Sequence, residues 1–139
     1  MCSARLRHLA AALGIVALGL AVRAWRGTLP PAVADVAGDA LWAAMLFCGV
    51  GVLAPRASIA RRAAAALGAA WTIEAGQLLR WPWLVALRAT PLGHLVLGAD
   101  FDARDLGAYA LGVAGAACVA AVASRVAARA VAREVQRAA

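Results

Sequence analysis

The chain has no lysine, only seven carboxylate side chains and only three cysteines in 139 residues. Each shortage excludes something. Charged residues make up 15% of the chain, against roughly 25% in an ordinary soluble domain. A fully solvated surface is therefore excluded, and no stretch before the C-terminal tail offers a complete polar helix face. Cys2, Cys48 and Cys118 have no metal-ligand spacing, so no metal site is expected. Cys48 and Cys118 fall inside apolar runs and read as small buried thiols, and Cys2 lacks the context of a lipid-anchor signal. No good A-x-A cleavage site follows the first apolar run, where Arg23 and Arg26 crowd the position, so that run reads as a retained span rather than a signal peptide.

What is present is hydrocarbon. Hydrophobic residues are 65% of the chain and the mean hydropathy is +0.80, the composition of a membrane protein. Four runs, residues 9–25, 33–53, 63–79 and 106–123, are candidate spans, near the short end of the roughly 17–25 residues that cross a bilayer as a helix. The expected fold is all-α: a four-transmembrane-helix bundle forming one domain over residues 1–139, with a basic cytoplasmic helical extension at 124–139.

All 14 basic side chains are arginine. With the N-terminus inside, nine of them lie on the cytoplasmic side and five (Arg23, Arg26, Arg80, Arg88 and Arg104) on the other. The positive-inside rule then places both termini in the cytoplasm. The net charge of +7 does not point to nucleic acid, because the arginines flank apolar spans instead of lining one soluble face. Membrane lipids are the expected partners. In the tail, Arg125, Arg129, Arg133 and Arg137 form an i, i+4 stripe suited to anionic headgroups. Small residues recur every fourth position at Ala64, Gly68, Thr72 and Gly76, and again at Ala108, Gly112, Ala116 and Ala120. Such ridges allow close helix packing in lipid, between spans three and four or between copies in an oligomer.

The acids cluster where the basic residues are fewest. Asp35, Asp39, Asp100, Asp102 and Asp105 lie in or beside the two outer loops, and Glu74 sits inside the third span with Gln77 one turn on. An ionisable group at membrane depth is costly unless it faces a protein interior or a wet cavity, which makes Glu74 the leading site candidate. Asp102 fits a helix N-cap, with Asp105 as the acid three residues later. Asp39 is followed at i+3 by Trp42, and Asp105 stands one turn above Tyr109. The loop after Glu74 is itself apolar. Its Trp81-Pro82-Trp83 start predicts a short interfacial helix over 82–89, and residues 91–98 return along the membrane surface. Arg88 and His94 point either to headgroups or inward toward Glu74; for His94, with no second histidine nearby, a surface position is expected.

The strings Gly38-Asp39-Ala-Leu41-Trp42-Ala43, Ile73-Glu74-Ala-Gly-Gln77-Leu78, Leu87-Arg88-Ala-Thr90-Pro-Leu92-Gly93, Leu97-Gly98 and Phe101…Asp105-Leu106…Tyr109…Gly112 resemble the domain-of-unknown-function 2809 family. The resemblance runs from about Leu6 to Gly115. It implies a small four-span bacterial inner-membrane protein, similar to VanZ-like proteins in pairing a membrane glutamate and glutamine with a later Arg and Asp. The family has no established activity.

Together these readings predict a polar cluster of Asp39, Glu74, Gln77, Arg88 and Asp105, joined by Arg23, Trp42 and Tyr109, on the outer side of the bundle. An arginine between carboxylates would offset part of their desolvation cost, and a buried ion-pair network that only fixes helix register is the structural alternative. Three functions stay open: binding an amphiphile or envelope headgroup, proton- or solute-coupled transport, and acid/base catalysis by Glu74 with Asp39 or Asp105. A side-chain nucleophile is disfavoured, since Ser3, Ser58 and Ser124 are all placed on the cytoplasmic side. No cofactor is expected.

Overall fold

The computed structural model describes residues 2–98 and 100–138. Met1 and Ala139, the two ends of the expected single domain, and Ala99 lie outside the described residues. The chain is all-α: α1 (Cys2–Ala24), a single 3-10 turn (Arg26–Thr28), α2 (Pro31–Leu53), α3 (Ile59–Gly76), α4 (Pro82–Arg88), α5 (Pro91–Leu97) and α6 (Ala103–Ala138). The four long helices run alternately up and down, and the hinge residues follow from helix-end chemistry. Pro31, Pro82 and Pro91 each occupy the first turn of a helix, where a missing N–H costs nothing. Pro55 lies just past the end of α2. Ser58 caps α3 by accepting from Arg61 N at 3.2 Å, and Thr90 Oγ1 does the same for α5, accepting from Gly93 N at 3.0 Å.

α2 is the central helix, packed against α1, α3 and α6, and α3 also packs on α6. The core between them packs small side chains, Ala43, Cys48, Ala66, Ala70 and Val113, around Phe47 and Tyr109. Trp71 Nε1 on α3 donates to the Leu106 carbonyl of α6 at 3.3 Å. At the end of the bundle away from α4 and α5, the buried Arg62 lies 3.2 Å from His8 Nε2 and stacks over Phe47, 4.9 Å from the ring centre.

Three helical segments, Ser3–Ala24, Pro31–Leu53 and Ala103–Arg137, are long and apolar enough to cross a membrane. Many of their large apolar side chains point outward: Leu13, Leu18, Leu111, Val119 and Val122 are all exposed. A water-soluble monomer does not carry so much contiguous apolar surface, and this is a membrane protein. The fourth expected span, 63–79, is not among the three. The helix there begins earlier and ends earlier, at Ile59–Gly76, and its 18 residues include Arg61, Arg62 and Glu74, which lower its hydropathy.

Other expectations change at this level. The expected return segment contains a second short helix, Pro91–Leu97, because Thr90-Pro91 supplies both an N-cap and a first-turn proline. Cys48 is buried but Cys118 is exposed, on a face of α6 that no other helix covers. Of the two small-residue ridges, that of α6 lies on its packed side and that of α3 does not. Ala64, Gly68 and Thr72 are exposed, and α3 buries Arg62, Ala66, Ala70 and Glu74 instead.

Candidate functional site

The site is built around one turn of α3. Ala66, Ala70 and Glu74 follow at i, i+4 spacing, so the face that packs on α2 and α6 carries the carboxyl into the bundle, where Glu74 is 0% exposed. Three donors converge on it. Tyr109 OH on α6 donates to Oε2 at 2.9 Å, Gln77 Nε2 donates to the same oxygen at 3.0 Å, and the backbone N–H of Asp102 donates to Oε1 at 2.8 Å.

The last of these contacts alters the start of α6. Asp102 Oδ1 accepts from Arg104 N at 2.9 Å, satisfying one of the free N–H groups of the first turn. In a capping box the acid three residues on, here Asp105, would reach back to the Asp102 N–H. Glu74 takes that N–H instead. Asp105 lines a cleft shared with Asp39 of α2. The Tyr109 ring lies against Trp42, with centroids 5.4 Å apart and planes at 47°.

Arg88 takes a different position from that of a counter-ion between carboxylates. Buried at 7% exposure, it donates to the carbonyls of Gly76 at 2.7 Å, Leu79 at 3.0 Å and Gln77 at 3.5 Å. These carbonyls lie at and just past the end of α3, where the last turn lacks helical partners, and Gly76 O also accepts from Leu79 N at 2.9 Å. Arg88 therefore fastens α4 to the C-terminus of α3 and acts on the site by fixing Glu74 and Gln77. Arg80 and Asp100 form an exposed pair at 3.0 Å, and Arg26 pairs with Asp35.

Beside this node lies a cleft of ≈ 590 Å³ walled by α1, α2, the end of α3, α5 and the start of α6. Arg23, Arg26, Asp35, Asp39, Trp42, Gln77, Asp102, Asp105 and Tyr109 line it, together with Ile15, Val16, Leu20, Leu41 and Met45. Arg23, Arg26, Asp102 and Asp105 sit at or beside helix ends, Asp35 and Asp39 in the first turns of α2, and the apolar residues further along α1 and α2. Gln77 is 4% exposed, and because only its Nε2 can donate to Glu74, its Oε1 is fixed facing away, without a hydrogen-bond partner. Gly98, at φ 65°, closes in on Gln77, and a Cβ there would overlap the side-chain amide.

The structure thus gathers Glu74, Gln77 and Tyr109 into one hydrogen-bonded node and sets Asp39, Asp105, Trp42 and Arg23 on the adjoining cleft wall, with Arg88 outside it. Sequence reasoning missed Gly98 and Thr90 as parts of this end; the positive φ of a glycine and the Thr-Pro pair are the signals for them. It also missed the buried Arg62 at the far end, whose i, i+4 spacing to Ala66, Ala70 and Glu74 marks it as facing inward.

No solved structure matches the chain. The family described as "Protein of unknown function (DUF2809)" matches residues 28–113, a shorter stretch than the Leu6–Gly115 resemblance, leaving out α1 with Arg23 and most of the long α6. The match takes in Asp39, Trp42, Glu74, Gln77, Arg88, Asp102, Asp105 and Tyr109, covers more than half of the sequence, and establishes that the chain belongs to this family.

Proposed function

We propose that the chain is a four-span protein of the bacterial cytoplasmic membrane, termini inside, whose cleft opens on the outer side and holds an amphiphile by its headgroup. The observation that carries this is the two-part wall: charged groups at one end and only apolar side chains deeper in. An occupant with a polar head and a hydrocarbon tail satisfies both parts, and a small polar solute only one.

α3 supports the fourth span in spite of its charges. At about 1.5 Å per residue it is ~27 Å long, and Arg62 and Glu74 are both buried within protein, so neither meets lipid. Trp81 and Trp83, both exposed, suit the headgroup boundary beside α4. The arginine stripe from Arg125 to Arg137 is exposed along α6 and fits anionic headgroups on the opposite side.

Gly19 lies on the cleft wall with open space where its Cβ would be. Gly19→Trp should therefore plug the cleft without disturbing helix packing. Mass spectrometry of lipids and metabolites co-purifying with wild-type protein should show an amphiphile that the variant lacks. Identical contents in the two preparations would sink the proposal.

A further inference from the structure

We infer that His8 and Arg62 form a proton-sensitive latch between α1 and α3, closed while His8 is neutral and released when it takes up a proton, whatever the cleft at the other end of the bundle holds. Three helices build the contact. Gly51 of α2 leaves the space through which the imidazole reaches α3, since a Cβ there would lie 2.8 Å from the His8 ring. Beyond it, Arg62 Nη1 stands 3.2 Å from His8 Nε2 and 3.5 Å from Nδ1. Both ring nitrogens are therefore within reach of one guanidinium N–H group. Neutral imidazole keeps one acceptor nitrogen in either tautomer, so either tautomer satisfies the contact. Imidazolium has two donors and no acceptor, and it turns the same contact into one between two cations.

Arg62 is the fixed side of the latch. It is 7% exposed, its guanidinium lies 4.9 Å from the centre of the Phe47 ring, and an arginine stays charged at any pH a protein meets. No carboxylate offsets a second positive charge, because among the described residues neither His8 nor Arg62 is ion-paired with one. The other groups around His8 are Arg7 on its own helix and, on α2, the buried Cys48 thiol one turn before Gly51, a group that is ordinarily neutral below about pH 8. The side that yields is α1, whose first turns are mostly exposed and whose helical packing is on α2. Further along, the same helix walls the cleft with Ile15, Val16, Gly19 and Arg23, so freeing its first turns loosens that wall. With the termini inside, as proposed above, the latch responds to acidification of the cytoplasm.

The test reads the distance across the latch. The native cysteines are replaced, Leu6→Cys on α1 and Ala60→Cys on α3, both at exposed positions, receive spin labels, and the label-to-label distance in the full-length protein is measured by pulsed electron resonance in lipid nanodiscs. A narrow distribution at pH 7.5 is expected to lengthen and broaden at pH 5.5. The ratio of released to latched α1 should rise by up to about tenfold for each pH unit below ~6.5, the ordinary imidazole value. His8→Gln places an amide oxygen that accepts from Arg62 and takes up no proton, and it should keep the narrow distribution at both pH values. A distribution that does not change with pH in the protein carrying His8 overturns the latch. Equal broadening in His8→Gln also overturns it, by assigning the response to another group. The comparison of the two pH values within one preparation stands even if His8→Gln fails to fold.

Discussion

Glu74 is buried completely, yet each of its three hydrogen-bond donors is an uncharged group. Its helix depth, its side chain and its link to Gln77 were all legible in one apolar run. Its long-range partners were not: Tyr109 lies 35 residues away and the Asp102 N–H 28, and no local pattern encodes which donor arrives. The expectation of an arginine counter-ion came from charge alone. It overlooked the carbonyls at the end of α3, which claim Arg88 first. Tyr109→Phe removes one donor while keeping the ring against Trp42. It should lower stability by about 1–3 kcal/mol, the usual cost of leaving a buried acceptor short, seen as a reduced unfolding midpoint in detergent. An unchanged midpoint would mean that the node does not hold α3 to α6.

At the level of elements, Gly112 marks where the backbones of two long helices, α6 and α2, come closest to each other. A Cβ on Gly112 would overlap the Ala40 carbonyl, whereas one on Gly115 would meet nothing. Both residues are inside α6. Gly112→Ala should therefore push α6 from α2 and destabilise by about 1–3 kcal/mol, while Gly115→Ala should be neutral or stabilise by up to ~1 kcal/mol through helix propensity. Thermal unfolding of the pair checks this, and equal effects would contradict the packing. The four-residue ridges made the α6 face readable. In α3 the small-residue ridge and the face packed within the bundle are two residues apart, and in so alanine-rich a helix the two look alike. What separates them is that the packed face carries Arg62 and Glu74, the two groups that must avoid lipid. The interfacial helix at 82–89 was legible from its tryptophans and Pro82, and appears as α4 at Pro82–Arg88. α5 was not, because a proline after Thr90 marks the end of one helix as readily as the first turn of the next.

For the molecule as a whole, scarcity of charge fixed the class: the all-helical membrane architecture follows from composition and run length. The number of spans turns on α3, whose charges are tolerable only because its neighbours bury them, a fact that composition does not contain. If four helices cross, the loop at 54–58 and the segment 80–100 lie on opposite sides. Single cysteines at Ala57 and Ala86, introduced after removal of the native three, should react with an impermeant maleimide from the cytoplasmic and outer sides respectively. Labelling of both from the same side would contradict a four-span topology. The cleft itself was not visible in the sequence, since it is a gap among five helices and no single segment marks it.

The claim that this gap holds an amphiphile is tested most directly by photo-crosslinking with a diazirine-bearing phospholipid in membranes containing the full-length protein, followed by peptide mapping. Adducts are predicted on the cleft-facing residues of α1 and α2, among them Val16, Leu20, Leu41 and Met45, and should be lost in Gly19→Trp. Adducts confined to the outward faces, such as Leu13, Leu18 and Val119, with no change in the variant, would show lipid bathing the bundle and none held within it.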